Sequence, residues 1–111
     1  MPGSSDIALG NLSYIFLLQA TLSPAQVAAA TTAEQTFTVN GLLTTDFVEV
    51  QKPTAQAGIG ICGARVSAAN TLAINFVNAT AATATTPTAA EVYLIKVTRR
   101  ENPGDLPTAI V

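Results

Sequence analysis

The sequence predicts an all-β protein: a small antiparallel β-sandwich or jelly-roll-like single domain with extended arms at its two ends. Two observations favour this class. About six segments alternate apolar and polar side chains with a period of two, which is typical of strands that bury one face. Turn-forming residues, such as the dipeptide Asn40-Gly41, separate these segments at short spacing, as in sandwiches of antiparallel strands.

The division of the chain follows from where these segments begin and end. Residues 1–11 contain proline, glycine and serine and are interpreted as an N-terminal arm. Residues 12–98 contain all the predicted strands and form the β-sandwich domain. Residues 99–111 contain two prolines and a glycine without apolar periodicity, and are interpreted as a C-terminal arm. A chain of 111 residues is long enough for one domain with one modest core.

The segments at the two ends of this domain are predicted to be well buried. Leu12–Thr21 is densely apolar and rich in aromatic and β-branched residues, so we expect a strand that is buried or nearly so. Glu91–Thr98 carries apolar side chains on both of its faces, so we expect it in the centre of a sheet. Its two faces consist of Tyr93, Ile95 and Val97, and of Val92, Leu94 and Lys96.

The segment Gly58–Asn78 is predicted to be a hairpin around which the other strands are arranged. Its turn is expected at the polar stretch 67–70, where Asn70 favours a reversal of the chain. The second strand of the hairpin alternates cleanly, and its apolar face is made by Leu72, Ile74 and Phe76.

The first strand of the hairpin carries the two residues with the most distinctive chemistry. Cys62 falls within the apolar pattern, and we expect it to be a small buried hydrophobe. Arg65 falls on the same face as Ile61. We expect it to pair across strands with Glu49 or Glu91, or else to reach a partner protein.

Two further segments, Glu34–Val39 and Asp46–Gln51, alternate as half-buried strands. Phe47 lies on the polar face of the second one, which indicates either a satellite contact or part of an interface. Residues 79–90 are small and of low complexity, so they are interpreted as a long surface loop.

Residues 23–30 fit two structures. Ser23, Pro24 and Gln26 have the spacing of a helix capping box, and the alanines that follow favour a short helix. The flanking chain is β-like on both sides, which favours an extended passage instead. The extended passage is the preferred prediction, and the short helix remains the alternative.

The composition excludes several kinds of partner. Charged residues make up 11% of the chain, against about a quarter in an average soluble domain. A surface so poor in charge is expected to be partly covered by partner proteins. The five basic residues neither form a stripe nor alternate with aromatic residues, so nucleic acid is not an expected partner. The longest dense apolar run, Tyr14–Leu18, is too short to cross a bilayer, so no membrane partner is expected.

No group of residues in the sequence has the pattern of a catalytic, metal or cofactor site. Histidine is absent, which removes the commonest general base and the commonest metal ligand. The stretch Gly58–Gly63 spells GxGxxG, but no segment long enough for the required helix follows it, so a dinucleotide site is not expected. Its glycines favour a β-bulge or a close backbone approach within the sheet. We therefore predict a protein that is not an enzyme and uses neither cofactor nor metal.

Three stretches between Pro24 and Arg99 resemble a known family. They read PAQVAAATTAEQTFTVNGL, TTDFVEVQKPTAQAGIGICGARVSAANTLAINFVNATA and TPTAAEVYLIKVTR, and their most specific part is Gly63–Leu72, GARVSAANTL. This phrase and the spacing of the apolar residues are similar to those of the capsid decoration (cement) proteins of tailed bacteriophages, which are small β-sandwich virion proteins.

The resemblance implies a non-enzymatic virion structural protein that binds the assembled phage capsid and stabilises it by bridging neighbouring major capsid subunits. Its expected partners are the major capsid protein and itself, as a homodimer or homotrimer. Its expected location is the capsid exterior, after synthesis in the host cytoplasm. The alternative function is a tail-fibre or spike-associated binding module that recognises a host surface. The candidate contact residues are Ile7, Leu9, Phe47, Arg65, Arg99, Arg100, Leu106, Ile110 and Val111.

Overall fold

The computed structural model describes residues 10–102 and 104–110, which form six strands and no helix. Two antiparallel sheets of three strands each result: the first sheet has the order β1-β6-β3 and the second sheet the order β2-β5-β4. Their inner faces pack against each other around one core, so the predicted β-sandwich is confirmed. The strands are β1 (Leu12–Leu22), β2 (Thr31–Thr38), β3 (Phe47–Gln51), β4 (Ile59–Ala68), β5 (Thr71–Asn78) and β6 (Glu91–Arg100).

The core lies between the central strands of the two sheets, β5 and β6. Phe76 of β5 and Tyr93 of β6 are fully buried, and their rings meet edge to face with centroids 6.5 Å apart. The alternation predicted for both strands and the central position predicted for β6 are confirmed, although β6 continues beyond Thr98 to Arg100. The residues of these two strands that form the core are Leu72, Ile74, Phe76, Tyr93, Ile95 and Val97.

β1 is not the buried strand that the sequence predicts. It lies at the edge of the first sheet beside β6, and every residue from Leu12 to Leu17 is exposed. From Leu18 onward, alternate side chains reach the core, and Leu22 is buried. A run of apolar residues without alternation indicates that both faces of the strand are apolar. It does not indicate which part of the protein, or which partner, covers those faces. That is why composition alone placed this strand in the interior.

β4 contains two bulges, and the first of them overturns two predictions. Cys62 is inserted directly after Ile61, so two residues of β4 face one residue of β5. The extra residue reverses the order of faces, and Ala64 instead of Arg65 follows Ile61 towards the core. Cys62 is exposed, and its thiol donates a weak hydrogen bond to the carbonyl of Asn75 at 3.3 Å. The predictions that Cys62 is buried and that Arg65 shares a face with Ile61 are therefore wrong. The prediction that the glycines favour a bulge is confirmed.

Residues 23–30 form an extended passage, which confirms the preferred prediction. The amide of Val27 donates to the carbonyl of Thr85 at 2.9 Å, and the amide of Thr85 donates to the carbonyl of Val27 at 3.0 Å. The Val27 side chain is fully buried. Tertiary packing of this one side chain, together with the bridge to the largely exposed loop at 79–90, outweighs the helical preference of the alanines.

One buried amide side chain ties both of these segments to the second sheet. Asn78, at the end of β5, donates from Nδ2 to the carbonyls of Val27 at 3.0 Å and Thr83 at 2.9 Å. Its Oδ1 accepts from the amide of Thr80 at 3.0 Å and from the Thr80 hydroxyl at 2.7 Å. All four hydrogen-bonding positions of the amide are satisfied, so its complete burial carries no penalty for unpaired polar atoms.

The hydroxyl of Tyr93 is buried, and it finds no hydrogen-bond partner among the described residues. Burial, together with the charge of Glu91, raises the pKa of Tyr93 to about 12. The phenol ionises near pH 10 in an unfolded chain. The protein therefore keeps its full stability below that pH and loses stability as the pH rises towards 12. We expect the free energy of unfolding to fall by about 2–3 kcal/mol through this ionisation, and Tyr93→Phe to abolish that part of the loss.

Denaturant titrations of the wild type and the variant between about pH 8 and pH 12 measure this difference. At neutral pH, Tyr93→Phe should be at least as stable as the wild type, because it removes an unpaired buried hydroxyl. Tyr14→Phe is the matched control, since Tyr14 is 59% exposed and should leave the alkaline loss intact. An alkaline loss of equal size in Tyr93→Phe and in the wild type would contradict the assignment.

Candidate interaction surface

The outer faces of the two sheets differ in polarity. The outer face of the second sheet carries threonines and one ion pair, in which Arg65 donates to Glu34 from Nε at 2.9 Å and from Nη2 at 2.8 Å. The Arg65 guanidinium lowers the pKa of the Glu34 carboxyl. The pair crosses β5 beside Ala73, whose small side chain is completely covered. This face is therefore polar, and its two charged side chains already pair with each other.

The two carboxylates that the sequence offered to Arg65 pair elsewhere, so that prediction is wrong. Glu49 lies 3.8 Å from the Lys96 ammonium, and Glu91 lies 2.8 Å from the Lys52 ammonium. The reason is the bulge at Cys62, which turns the arginine to the outer face of the second sheet, whereas both of these carboxylates belong to strands of the first sheet.

The outer face of the first sheet carries several large exposed apolar side chains, grouped around one exposed ion pair, Lys96–Glu49. Ile15 and Phe47 flank Thr98 on one row of the sheet, and Leu17 lies on the next row. These three apolar side chains are 66%, 65% and 69% exposed, respectively. Large apolar groups that are grouped in this way usually mark a contact with another protein. We call the apolar outer face the five side chains Ile15, Leu17, Phe47, Val92 and Leu94.

Two aromatic side chains extend this exposed surface around the beginning of β1. Tyr14 and Phe16 alternate with the residues of the apolar outer face and stack on each other, with ring centroids 5.7 Å apart. The Arg99 guanidinium lies 5.2 Å from the centroid of the Phe16 ring, within the range of a cation–π contact. Both faces of the first half of β1 are therefore open, and both are apolar.

Arg99 also ties β6 to the loop before β3. It donates from Nε to Oδ1 of Asp46 at 2.9 Å, from Nη2 to Oδ2 of Asp46 at 2.8 Å and from Nη2 to the Gly41 carbonyl at 2.9 Å. The amide of Leu43 donates to Oδ2 of the same carboxylate at 2.9 Å. The Asp46 side chain is fully enclosed. Hydrogen bonding to Arg99 holds the pKa of Asp46 below its usual value, against the opposing effect of burial. Arg99 thus stabilises the fold by joining β6 to the loop before β3.

Three of the predicted contact residues lie together. Phe47, Arg100 and Leu106 line a depression of about 290 Å³ between the start of β3 and the end of β6. Arg100 donates from Nη1 to the carbonyl of Gly104 at 3.1 Å, which ties the chain beyond β6 to the end of the strand. This depression borders the apolar outer face, because Phe47 belongs to both.

The remaining predicted residues do not join this group. Arg65 lies on the polar face of the second sheet, and Arg99 is held by Asp46. Ile110 is 74% exposed but lines none of the depressions described for this surface. Ile7, Leu9 and Val111 lie outside the described residues.

The largest part of this surface, the first half of β1, was not predicted from the sequence. Its side chains were assigned to the interior because they are apolar. One signal could have found them: Leu12–Leu22 contains no charged residue and no proline, which is unusual for an unprotected edge strand. The absence of charge and proline points to an exposed pairing edge only when the strand is known to lie at the edge of a sheet.

The chain has no match among models of known protein families, among curated proteins or among solved structures. Within residues 10–102 and 104–110, no helix is long and apolar enough to cross a membrane. No group of three or more metal-binding side chains occurs in that same part of the chain. Within the described residues, the exposed apolar side chains of the first sheet are accordingly the feature that bears most directly on function.

Proposed function

We propose that this protein is a non-enzymatic structural component of a bacteriophage virion, which binds the outside of the assembled capsid and bridges neighbouring major capsid subunits. The observation that carries the proposal is the difference between the two outer faces of the sandwich. The large exposed apolar side chains of the apolar outer face, which surround the Lys96–Glu49 pair, are suited to burial against coat protein, whereas the outer face of the second sheet is mainly threonine and is suited to solvent. The resemblance of the phrase GARVSAANTL to capsid decoration proteins supports coat protein as the class of partner.

The mechanism needs no covalent chemistry. A protein that binds the assembled lattice, and does not bind free coat subunits, shifts the equilibrium towards the lattice by mass action. Each occupied site stabilises the shell by about 2.7 kcal/mol when the free protein is present at about a hundred times its dissociation constant. The stabilisation from many such sites on one shell adds up, which is how a small protein can stabilise a large particle.

The test is cosedimentation of the purified protein with assembled phage shells that lack it. Phe47→Ser and Leu94→Ser each remove an exposed side chain from the apolar outer face, and we expect each to weaken shell binding by about tenfold or more. Leu43→Ser is the matched control, because it removes an exposed leucine from the loop before β3, outside that face. Absence of wild-type binding to any such shell, or equal loss in the control, would overturn the proposal.

A binding module of a tail fibre or spike is the second candidate, and the stacked, exposed Tyr14 and Phe16 favour it, since aromatic rings form platforms for host-surface ligands. Electron micrographs of particles with and without the protein separate the two functions. Additional density over the whole head supports the capsid protein, and additional density confined to the tail supports the binding module.

A further inference from the structure

The four edge strands of the sandwich are not equally protected against pairing with another chain. β2, β3 and β4 carry a charged residue each, namely Glu34, Glu49 and Arg65, and β4 is further disrupted by its two bulges. Charges and bulges are the usual means by which natural proteins prevent edge-to-edge association. β1 has neither charge nor proline over its eleven residues, and it pairs regularly with β6 from Tyr14 to Leu22. It is the one unprotected edge among the described strands.

The free edge of β1 has no pairing partner within the described residues, since β6 is its single neighbour in the sheet. Alternate amides and carbonyls of an edge strand point away from the sheet and can accept a further strand. The side chains beside these groups are Tyr14, Ile15, Phe16 and Leu17, which are exposed on both faces. A strand added here would therefore gain backbone hydrogen bonds and apolar contacts together.

A second copy of the same strand satisfies these requirements. An antiparallel pair related by a two-fold axis brings β1 against itself, and a strand without charge meets no like-charge repulsion in that arrangement. Aromatic side chains bury about 150–250 Å² each, and Tyr14, Ile15, Phe16 and Leu17 keep between 36% and 69% of their surface exposed, so the four offer on the order of 400 Å² per copy. With the strand backbone included, this approaches the lower end of the area that stable complexes bury, about 600 Å² per partner.

We propose that the protein forms a homodimer through antiparallel pairing of β1 with β1 of a second copy, which creates one continuous six-stranded sheet. Centring the two-fold axis at Phe16 places Ile15 opposite Leu17 of the partner subunit on the outer face. The same register places Tyr14 opposite Leu18 of the partner subunit on the inner face. The axis also brings the two apolar outer faces side by side on one surface. A dimer of this kind would contact two coat subunits at once, which raises avidity without any new type of contact.

Sedimentation equilibrium and native mass spectrometry of the isolated, full-length protein test this proposal, and they do not depend on the proposed capsid function. We expect a dimer for the wild type. Leu17→Lys places a charge on the pairing edge at an exposed position, opposite Lys96, whose ammonium is paired with Glu49. We expect it to weaken dimerisation by about a hundredfold, and circular dichroism checks that the variant monomer remains folded. Phe47→Lys is the matched control, because it introduces the same charge at an exposed apolar position of the same face, at the opposite edge of the sheet, and we expect the dimer dissociation constant to change by about threefold or less.

A wild-type protein that stays monomeric would overturn the proposal, and three more specific results would also do so. A trimer would do so, because pairing of one edge about a two-fold axis closes at two copies. Equal loss in Phe47→Lys and Leu17→Lys would indicate that the sheets associate through their faces. Hydrogen exchange supplies the third: outward-pointing amides of β1 that are protected in a monomer would show that residues 1–9 or another part of the chain cover the edge. A dimer that does not bind shells contradicts the capsid function alone, and a monomer that binds them contradicts the dimer alone.

Discussion

Replacing Asn78 by alanine is expected to lower the free energy of unfolding by about 3–4 kcal/mol. The substitution removes four hydrogen bonds that lie inside the protein, and it leaves the amide of Thr80 without its acceptor. The total stability of a domain of this size is about 5–15 kcal/mol, so the variant would be close to the limit of folding. Urea unfolding followed by circular dichroism measures the change.

Asn75→Ala is the matched control for this prediction. Asn75 lies on the same strand, but on the outer side, where it is half-exposed. We expect it to cost less than about 1 kcal/mol, as surface substitutions usually do. Hydrogen exchange adds a local test, because the amides of Val27 and Thr85 should lose protection in Asn78→Ala before the rest of the sheet does. Equal costs for the two variants would show that the buried amide does not hold the loops.

The buried faces of β5 and β6 could be predicted from the sequence because each strand lies between two neighbours, contains no bulge of its own and is covered on the inner side by the other sheet. Under these conditions the period of two in the sequence is the period of burial. The same holds for Phe47, a large apolar residue among polar ones, which the alternation placed on an outward face and which is exposed there.

Alternation fails where a strand departs from regular pairing or where its surroundings are not local. In β4, a period of two in the sequence cannot show that Cys62 is an inserted residue, although the neighbouring glycines indicated that a bulge was possible. In β1 the difficulty is different. An apolar strand in the middle of a sheet and an apolar strand at an exposed edge can have the same composition. The order in which all the strands of the chain pair decides between these two positions.

The role of Arg99 could not be predicted for a related reason. Its partner, Asp46, lies 53 positions away in the sequence, and the two meet because β3 and β6 are neighbours in the first sheet. A sequence pattern places charges on faces of strands, but it does not give the register between strands that are distant in the chain. The sequence therefore did not indicate that Arg99 is hydrogen-bonded inside the fold, and its contact with another protein stays a prediction.

Replacing Asp46 by alanine is expected to cost about 2–3 kcal/mol. The substitution removes the acceptor of two hydrogen bonds from Arg99 and of one from the amide of Leu43, and it leaves a partly buried guanidinium without its counter-charge. Removal of one partner from a fully buried ion pair costs about 3–5 kcal/mol. The value expected here is lower because the Arg99 side chain keeps 26% of its surface exposed and still reaches the Gly41 carbonyl.

The pH dependence of stability distinguishes this carboxylate from the exposed ones. The pKa of Asp46 is lowered in the folded protein, chiefly by its hydrogen bonds to Arg99. Its contribution to stability is therefore fully present above the unfolded pKa, near 4, and is lost as the pH falls through the lower folded value. The difference in unfolding free energy between the wild type and Asp46→Ala should accordingly be large at neutral pH and shrink as the solution is acidified below about pH 4.

Glu34→Ala is the control that isolates the effect of burial. The Arg65–Glu34 pair has the same bidentate geometry as the Arg99–Asp46 pair, with the same distances of 2.8 and 2.9 Å, but its side chains are exposed. Exposed pairs are screened by water and salt, so this control should change stability little at any pH. If the two alanine variants lost equal stability at neutral pH, enclosure of Asp46 would not be what makes the Arg99 pair important. Unfolding titrations at about pH 7 and pH 3, at low and high salt, decide the question.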